Sequence, residues 1–260
     1  MGRNRTLTVD FDSLVREHGK QVFNLAYRIT GNRNDAEDVM QETFLQVHRN
    51  LDTFRGEAAL STWIYRVAVN CSLQVKRMLN KAYIDSLDET ILQFRDDLPD
   101  DVKGWQSDPE TRYIYDELIT EVQKACYHFI TFRLTDEQRV AYLLRTVLGF
   151  SLDDIAQILE VSKNTVKARL HRAKVALGKY FSGRCQWVPG GEGCSCESRL
   201  GFSLSIAPEV LQRLRNIPPD RKTSAMIRTT LSEVGDINEV YAHLPAEEPE
   251  PELLDRLVRA

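Results

Sequence analysis

The chain has 260 residues, 42% of them hydrophobic and 28% charged, with 13 glycines and 9 prolines; this fits one or two folded domains and favours helices over a turn-rich β fold. Its apolar runs stop at five or six residues, far short of the roughly 20 that a membrane span needs. The start, MGRNRTLTVD, lacks the apolar core and cleavage site of a secretion signal, so membrane, collagen and coiled-coil fibre classes are set aside.

The first region, about 10–82, reads as helical. Phe11, Leu14, Val15, Val22, Phe23, Leu25, Ala26 and Ile29 predict one or two helices ending at Gly31. Asn34-x-x-Glu37 has the form of a capping box, and Ala36, Val39, Met40, Thr43, Phe44 and Val47 follow at helical spacing. Asp38, Gln41 and Glu42 lie on the opposite face. After Phe54-Arg55-Gly56, a helix from Leu60 to Met78 carries Trp63, Ile64, Val67, Ala68, Cys71 and Val75 as its apolar stripe. Cys71 is expected in the core.

Residues 83–108 form an acidic, weakly periodic linker. Residues 109–183 return to helices: one capped at Asp108 with Pro109 at its first position, one opened by Thr135-x-x-Gln138 and closed at Gly149, a short one opened by Ser151-x-x-Asp154, and one capped by Ser162. Residues 184–260 hold a turn-rich cysteine cluster, helices near 207–216 and 221–233, a further one at 251–259, and the acidic, proline-broken stretch after Ala246. The fold class expected is all-α: two small helical domains, an acidic linker and a partly helical extension.

The net charge of −4 hides a sharp asymmetry. Val161 to Arg184 holds seven Lys/Arg and no acid, whereas Asp85 to Glu121 holds twelve acids and three bases. Local patches therefore decide the partners. Residues 151–177, SLDDIAQILEVSKNTVKARLHRAKVAL, have helix-turn-helix spacing. Val166, Leu170, Ala173 and Leu177 form the inner face of the second helix. Lys163, Asn164, Thr165, Lys167, Ala168, His171 and Arg172 are its candidates for DNA in the major groove, with Lys174 on the same outer side. Glu160 occupies the turn position where glycine with positive φ is common, which predicts a slightly altered turn.

Two segments carry a family resemblance. DAEDVMQETFLQVHRNLDTFRGEAALSTWIYRVAVNCSLQVKR resembles region 2 of bacterial sigma factors, and LTDEQRVAYLLRTVLGFSLDDIAQILEVSKNTVKARLHRAKVAL resembles their region 4. With no region 3 between them, the chain resembles the extracytoplasmic-function (ECF) group over residues 10–183. The resemblance implies core RNA polymerase and promoter DNA as partners and a cytoplasmic setting. It implies polymerase docking by Asp38, Gln41 and Glu42, whose acidic and amide groups suit a basic coiled coil. It implies minus-10 contacts by Phe54, Arg55, Thr62, Trp63, Tyr65, Arg66, Asn70, Lys76 and Arg77, with a flipped base captured in the loop 52–62. Trp63 serves a core as readily as a nucleotide. The recognition helix gives minus-35 contacts, with Lys167 and Ala168 where arginine and serine are usual. An anti-sigma protein is a further partner of this group, or the extension stands in for one.

Cys185, Cys194 and Cys196 lie in one Gly/Pro turn, and Cys126 and His128 can complete a ligand set. Zinc or another soft metal is the first reading; a redox switch and unligated thiols are the others. The odd total of five cysteines argues for a reducing compartment. The helical stretches of the extension either fold back as a regulator or bind a partner, and the acidic tail either covers a basic DNA-binding face or stays solvated. The competing functions are a stand-alone helix-turn-helix regulator, which leaves residues 35–77 unexplained, and an enzyme. No Walker loop, HExxH, GxSxG or dinucleotide fingerprint is present in the sequence, so no catalytic activity is expected.

Overall fold

The computed structural model describes residues 10–51, 54, 56, 58–75, 98, 100, 102–186, 194–206, 208–215, 246 and 248–259. The helices among them, in chain order, are α1 (Phe11–Thr30), α2 (Arg33–Asn50), α3 (Leu60–Val75), α4 (Arg112–Thr131), α5 (Asp136–Thr146), α6 (Leu152–Ile158), α7 (Lys163–Phe181), α8 (Glu197–Ile206), α9 (Pro208–Arg215) and α10 (Pro251–Arg259). The β pairing among the described residues is the single bridge between Cys185 and Cys194. The all-α expectation holds. The helices expected near 221–233, and the last residues of the one expected to reach Met78, lie outside the described residues. The chain divides into two compact units, Met1–Arg77 with Leu143–Lys167 and Ala246–Ala260, and Met78–Tyr142 with Ala168–Pro245.

In the first unit α1, α2 and α3 pack on one another pairwise. Val15, Val22, Phe23, Ala26 and Ile29 of α1 meet Ala36, Val39, Met40, Phe44 and Val47 of α2 and Ile64 and Ala68 of α3, all fully buried. Burying each of the larger side chains contributes roughly 1.5–3 kcal/mol. Cys71 joins this core, and burial pushes its thiol pKa up. A single helix, not two, spans Phe11–Thr30, because Asp10 caps it through the Ser13 amide (3.3 Å) and Gly31, at φ 79°, closes it.

The α2 cap differs from expectation. Asn32, not Asn34, accepts the Asp35 amide (3.0 Å), so the helix starts earlier. Glu37 then lies one turn inside and pairs with Arg33 (3.3 Å). Gly19 sits in the middle of α1, where glycine costs roughly 0.5–1 kcal/mol against alanine. Its reason is a close approach: a Cβ there would come within 2.5 Å of Leu254 Cδ2 on α10. The end of the chain thus packs on α1 and α2. The expectation of a solvated tail, or of one covering a basic DNA-binding face, gives way to this docking.

In the second unit α4 is the spine. Val102, Ile114, Tyr115, Leu118, Ile119 and Val122 share a core with Leu200, Leu204 and Leu214 of α8 and α9, and Leu98 and Trp105 pack against it. The last part of the acidic linker is therefore ordered around Val102, and α8, which the periodicity did not predict, belongs to that core. α4 begins at Arg112 rather than at Pro109. Asp108 accepts from the Glu110 amide (3.1 Å) and the Thr111 hydroxyl (2.9 Å), which holds a turn ahead of the helix. Thr135 and Gln138 open α5 with the reciprocal pair expected, at 3.3 and 3.4 Å. The helix stops at Thr146, three residues before Gly149.

Candidate nucleic-acid and polymerase interface

Caps build the helix pair α6 and α7, the second of which is the candidate for DNA. Ser151 and Asp154 form a capping box at the start of α6. Ser162 accepts the Thr165 amide (3.1 Å) at the start of α7. Between them the chain turns through Glu160 at φ 53°, and the Val161 amide reaches back to the Ala156 carbonyl (3.0 Å). That six-to-one bond is a Schellman closure. The turn keeps the glycine-type conformation although it carries glutamate, at roughly 1–2 kcal/mol for the left-handed backbone.

Beyond the turn, α7 separates its faces. Val166, Leu170, Ala173 and Leu177 are buried. Lys163, Asn164, Lys167, Ala168, His171, Arg172 and Lys174 are exposed. Lys163 is engaged with Asp153 at 2.7 Å. Thr165 is half-buried, and its hydroxyl lies 2.9 Å from that of Ser162, so it serves the cap first. An exposed row of cations with no acid within the helix can neutralise several phosphates at once, the sequence-independent part of duplex binding.

The candidates on and before α3 divide differently. Phe54 and Trp63 are half-buried and lie against each other, ring centroids 5.2 Å apart and tilted by 33°. Asn70 is exposed. Thr62 and Tyr65, expected at DNA, are instead in the core, each 1% exposed. The Tyr65 hydroxyl donates to Gln21 Oε1 at 2.5 Å, and its ring meets Phe150 edge-on at 4.8 Å. Burial raises the pKa of its phenol above the usual range. Thus α3 is packed on a second side by α6 and its flanks, which consumes residues that a one-sided helix would display.

Arg66 is consumed in the same way. Its Nη1 pairs with Glu160 Oε1 at 3.0 Å and its Nη2 donates to the Gln157 carbonyl at 2.7 Å. Its Nε is buried and finds no acceptor among the described residues. Nothing in the sequence separation of 94 residues signals this pairing. Arg55, Lys76 and Arg77 lie outside the described residues. On α2, Asp38 and Glu42 are exposed and Gln41 is half-buried, leaving an acidic row that spans five residues on the face away from the core.

The cysteines expected at one site are gathered in the second unit. Cys126 on α4 is exposed at its surface, yet the protein atoms crowded round its thiol, and then the nearby Cys196, Cys194 and Cys185, push its pKa up while Arg199 opposes them. Cys185 and Cys194 are bridged through the backbone, with the Cys194 amide on the Arg184 carbonyl (3.0 Å) and the Gln186 amide on the Cys194 carbonyl (3.1 Å). Arg199 Nε donates to Cys194 Sγ at 3.1 Å. His128 packs edge-on against Phe132, ring centroids 5.0 Å apart. Among the described residues no three His, Cys, Asp or Glu side chains are arranged to hold a metal ion. Among them too, no helix is long and apolar enough to cross a membrane.

Two segments of the chain match known families. Residues 14–81 match the model for sigma-70 region 2, and residues 133–177 match sigma-70, region 4. The ECF RNA polymerase sigma factor SigE of Mycolicibacterium smegmatis is 31% identical over 66% of this chain and 62% of its own length, less than two thirds of that relative. The ECF RNA polymerase sigma factor SigW of Bacillus subtilis is 30% identical over 65% of this chain and 87% of its own. A solved structure of CnrH in complex with the cytosolic domain of CnrY aligns with a TM-score of 0.42 and 20% identity, covering 65% of this chain and 86% of that one.

Proposed function

Because this chain belongs to the ECF group of sigma-70 family RNA polymerase sigma factors, we propose that it binds core RNA polymerase and directs promoter-specific initiation. In this reading the acidic row Asp38, Gln41 and Glu42 docks on the polymerase, α3 with Phe54 and Trp63 engages the minus-10 strand, and α7 enters the minus-35 major groove. The polymerase supplies the catalysis, and this chain supplies none. Its setting is then the cytoplasm, with the polymerase. The observation that carries the reading is the acid-free cationic face of α7, exposed behind a doubly capped turn, on the same chain as a region 2 helix trio. Transcription by purified core polymerase with this protein, on fragments of its own genome, is expected to yield new, discrete start sites. Duplex binding without core binding and without new starts would move the reading to a stand-alone helix-turn-helix regulator.

The finer part of the proposal concerns sulfur. Cys126, Cys185, Cys194 and Cys196 together are read as a soft-metal input, zinc first, because an all-sulfur donor set in one electrostatic neighbourhood suits a soft cation. Among the described residues no three such side chains stand arranged for an ion, and His128, whose ring lies against Phe132, is the further candidate donor. Thiols bind metal as thiolates, so each one bound releases a proton. With the Cys126 pKa raised, affinity is expected to climb with pH. Cadmium titration followed by thiolate charge-transfer absorbance checks this, with Cys126→Ser and Cys194→Ser as the losing variants. Oxidation of these thiols without any metal uptake would move the reading to a redox switch.

A further inference from the structure

The docking of the chain's end on region 2 has a physical signature of its own. Leu253 and Leu257, one turn apart on α10, are buried at 1% and 7% exposure, while Glu252, Asp255 and Arg256 face outward. Leu254 approaches α1 where Gly19 leaves room for it. Pro249 is buried in the lead-in. Around it, Glu248 pairs with Lys20 at 3.1 Å, and Arg33 Nη2 donates to the Glu248 carbonyl and to Glu250 Oε1, both at 3.0 Å. A nine-residue helix is too short to persist alone in water, so this segment is helical because it is docked.

Lys20 and Arg33 are the cations that the segment pairs with, and Lys20 stays exposed. Arg33 opens α2, and its partner Glu37 lies one turn before Gln41. Asp38 lies five residues on, about 7.5 Å along the axis and about 140° round it, so the charge at the start of α2 acts on the row only at long range and is sensitive to salt, whose screening length is roughly 8 Å at physiological strength. Asp38 and Glu42 stay exposed with the segment in place. The docked segment therefore does not occlude the acidic row. It pairs with Lys20 of α1 and with Arg33 at the start of the helix that carries the row.

We propose that residues 246–259 are a working part of the polymerase-binding surface: docked, they pair with Lys20 and Arg33 and bring exposed carboxylates to the start of the helix that carries Asp38 and Glu42, which favours a basic helical partner on core polymerase. This rests on the sigma-factor reading. Opposite charge across an interface chiefly raises the association rate, and salt removes the gain. Undocking the segment removes these acids from Lys20 and Arg33 and takes its exposed carboxylates off the region 2 surface, which slows the encounter.

The test uses the full chain. Leu253→Asp with Leu257→Asp undocks α10 and makes the protein more negative overall. If net charge alone mattered, binding to a basic partner would tighten. The proposal expects the opposite: association with core polymerase slowed by about three- to tenfold at low salt, the difference shrinking at high salt. Hydrogen exchange of the free protein reports docking separately, with amide protection over 251–259 lost in the variant. Gly19→Ala, which adds no charge and strengthens α1, is expected to move both readouts the same way by a smaller factor. Unchanged or tighter binding after undocking overturns the proposal, as does a lack of protection over 251–259 in the unmodified chain. If the unmodified chain does not bind core polymerase at all, the parent reading fails instead, whatever the exchange data show.

Discussion

Two helices, α3 and α7, carry the residues expected at DNA, and the fold treats them differently. α7 buries one stripe, Val166, Leu170, Ala173 and Leu177, and every cation expected on its outer face is exposed. α3 is covered by α1 and α2 on one side and approached by α6 on another. Thr62 and Tyr65 vanish into that packing, and Arg66 is held by Glu160 and Gln157. A helix with one packed side keeps its polar residues for a ligand. A helix packed on two sides gives some of them to the fold, and composition does not distinguish the cases.

The largest effect that would break this contrast lies on α7. Lys167→Glu with Arg172→Glu reverses two exposed cations and is expected to reduce both duplex affinity and promoter-directed transcription by more than about 100-fold, since each such contact carries roughly 1–3 kcal/mol. Gel-shift titrations over a salt series check it, and the salt slope should flatten as well. A loss below tenfold would mean that the exposed face is a solvated one.

On α3 the sharper test is Tyr65→Phe. Removing the hydroxyl that donates to Gln21 is expected to cost about 0.5–1.5 kcal/mol of stability, read by denaturant unfolding, with promoter preference unchanged. A change in promoter preference without a loss of stability would return Tyr65 to the DNA. Glu160→Gly probes the contact that holds Arg66. It relieves the left-handed backbone and removes an ion pair between side chains 30% and 70% exposed, worth about 0–1 kcal/mol. The midpoint of thermal unfolding should rise slightly or stay level, and binding of a minus-10 strand should strengthen about two- to fivefold as Arg66 is released. Weaker strand binding would show that Arg66 needs its present position.

The smallest effect concerns pH. Burial lowers the His18 pKa below 6.5, and the nearby Glu17 carboxylate only partly opposes it. A folded pKa below the unfolded one means that the unfolded chain binds more protons, so stability rises with pH. The contribution is complete above the unfolded value near 6.5 and is lost as pH falls through the lower folded value. Thermal unfolding between pH 7 and pH 5 should show that decline, and His18→Gln should flatten it.

Much of the site was legible in the sequence because it is written in local chemistry. The Ser151–Asp154 box, the Ser162 cap and the inner stripe of α7 depend on residues three or four apart, and the structure has them all. Where two local signals compete, the reading slipped. Asn32 and Asn34 are both good caps, and only the position of the Arg33–Glu37 pair and the α2 core separates them. The acidic stretch before α4 read as a linker because its charges outnumber its apolar residues, yet Val102 and Trp105 are enough to anchor it.

The sequence alone determined the all-α class, the region 2 and region 4 segments, the turn between α6 and α7, and which side of α7 is cationic. The class, the turn and the cationic side follow from periodicity and capping, which act over one or two turns of chain; the region 2 and region 4 segments follow from a resemblance carried by contiguous stretches of residues. The tertiary structure decided the rest: that Arg66 meets Glu160 across 94 residues, that Gly19 is glycine because Leu254 comes close, that α8 and α9 complete the α4 core, and that the acidic end docks on α1 and α2. Such contacts join residues far apart in the chain. A salt bridge or a buried leucine can be met by many partners of the same chemistry, and the packing of the helices alone selects one.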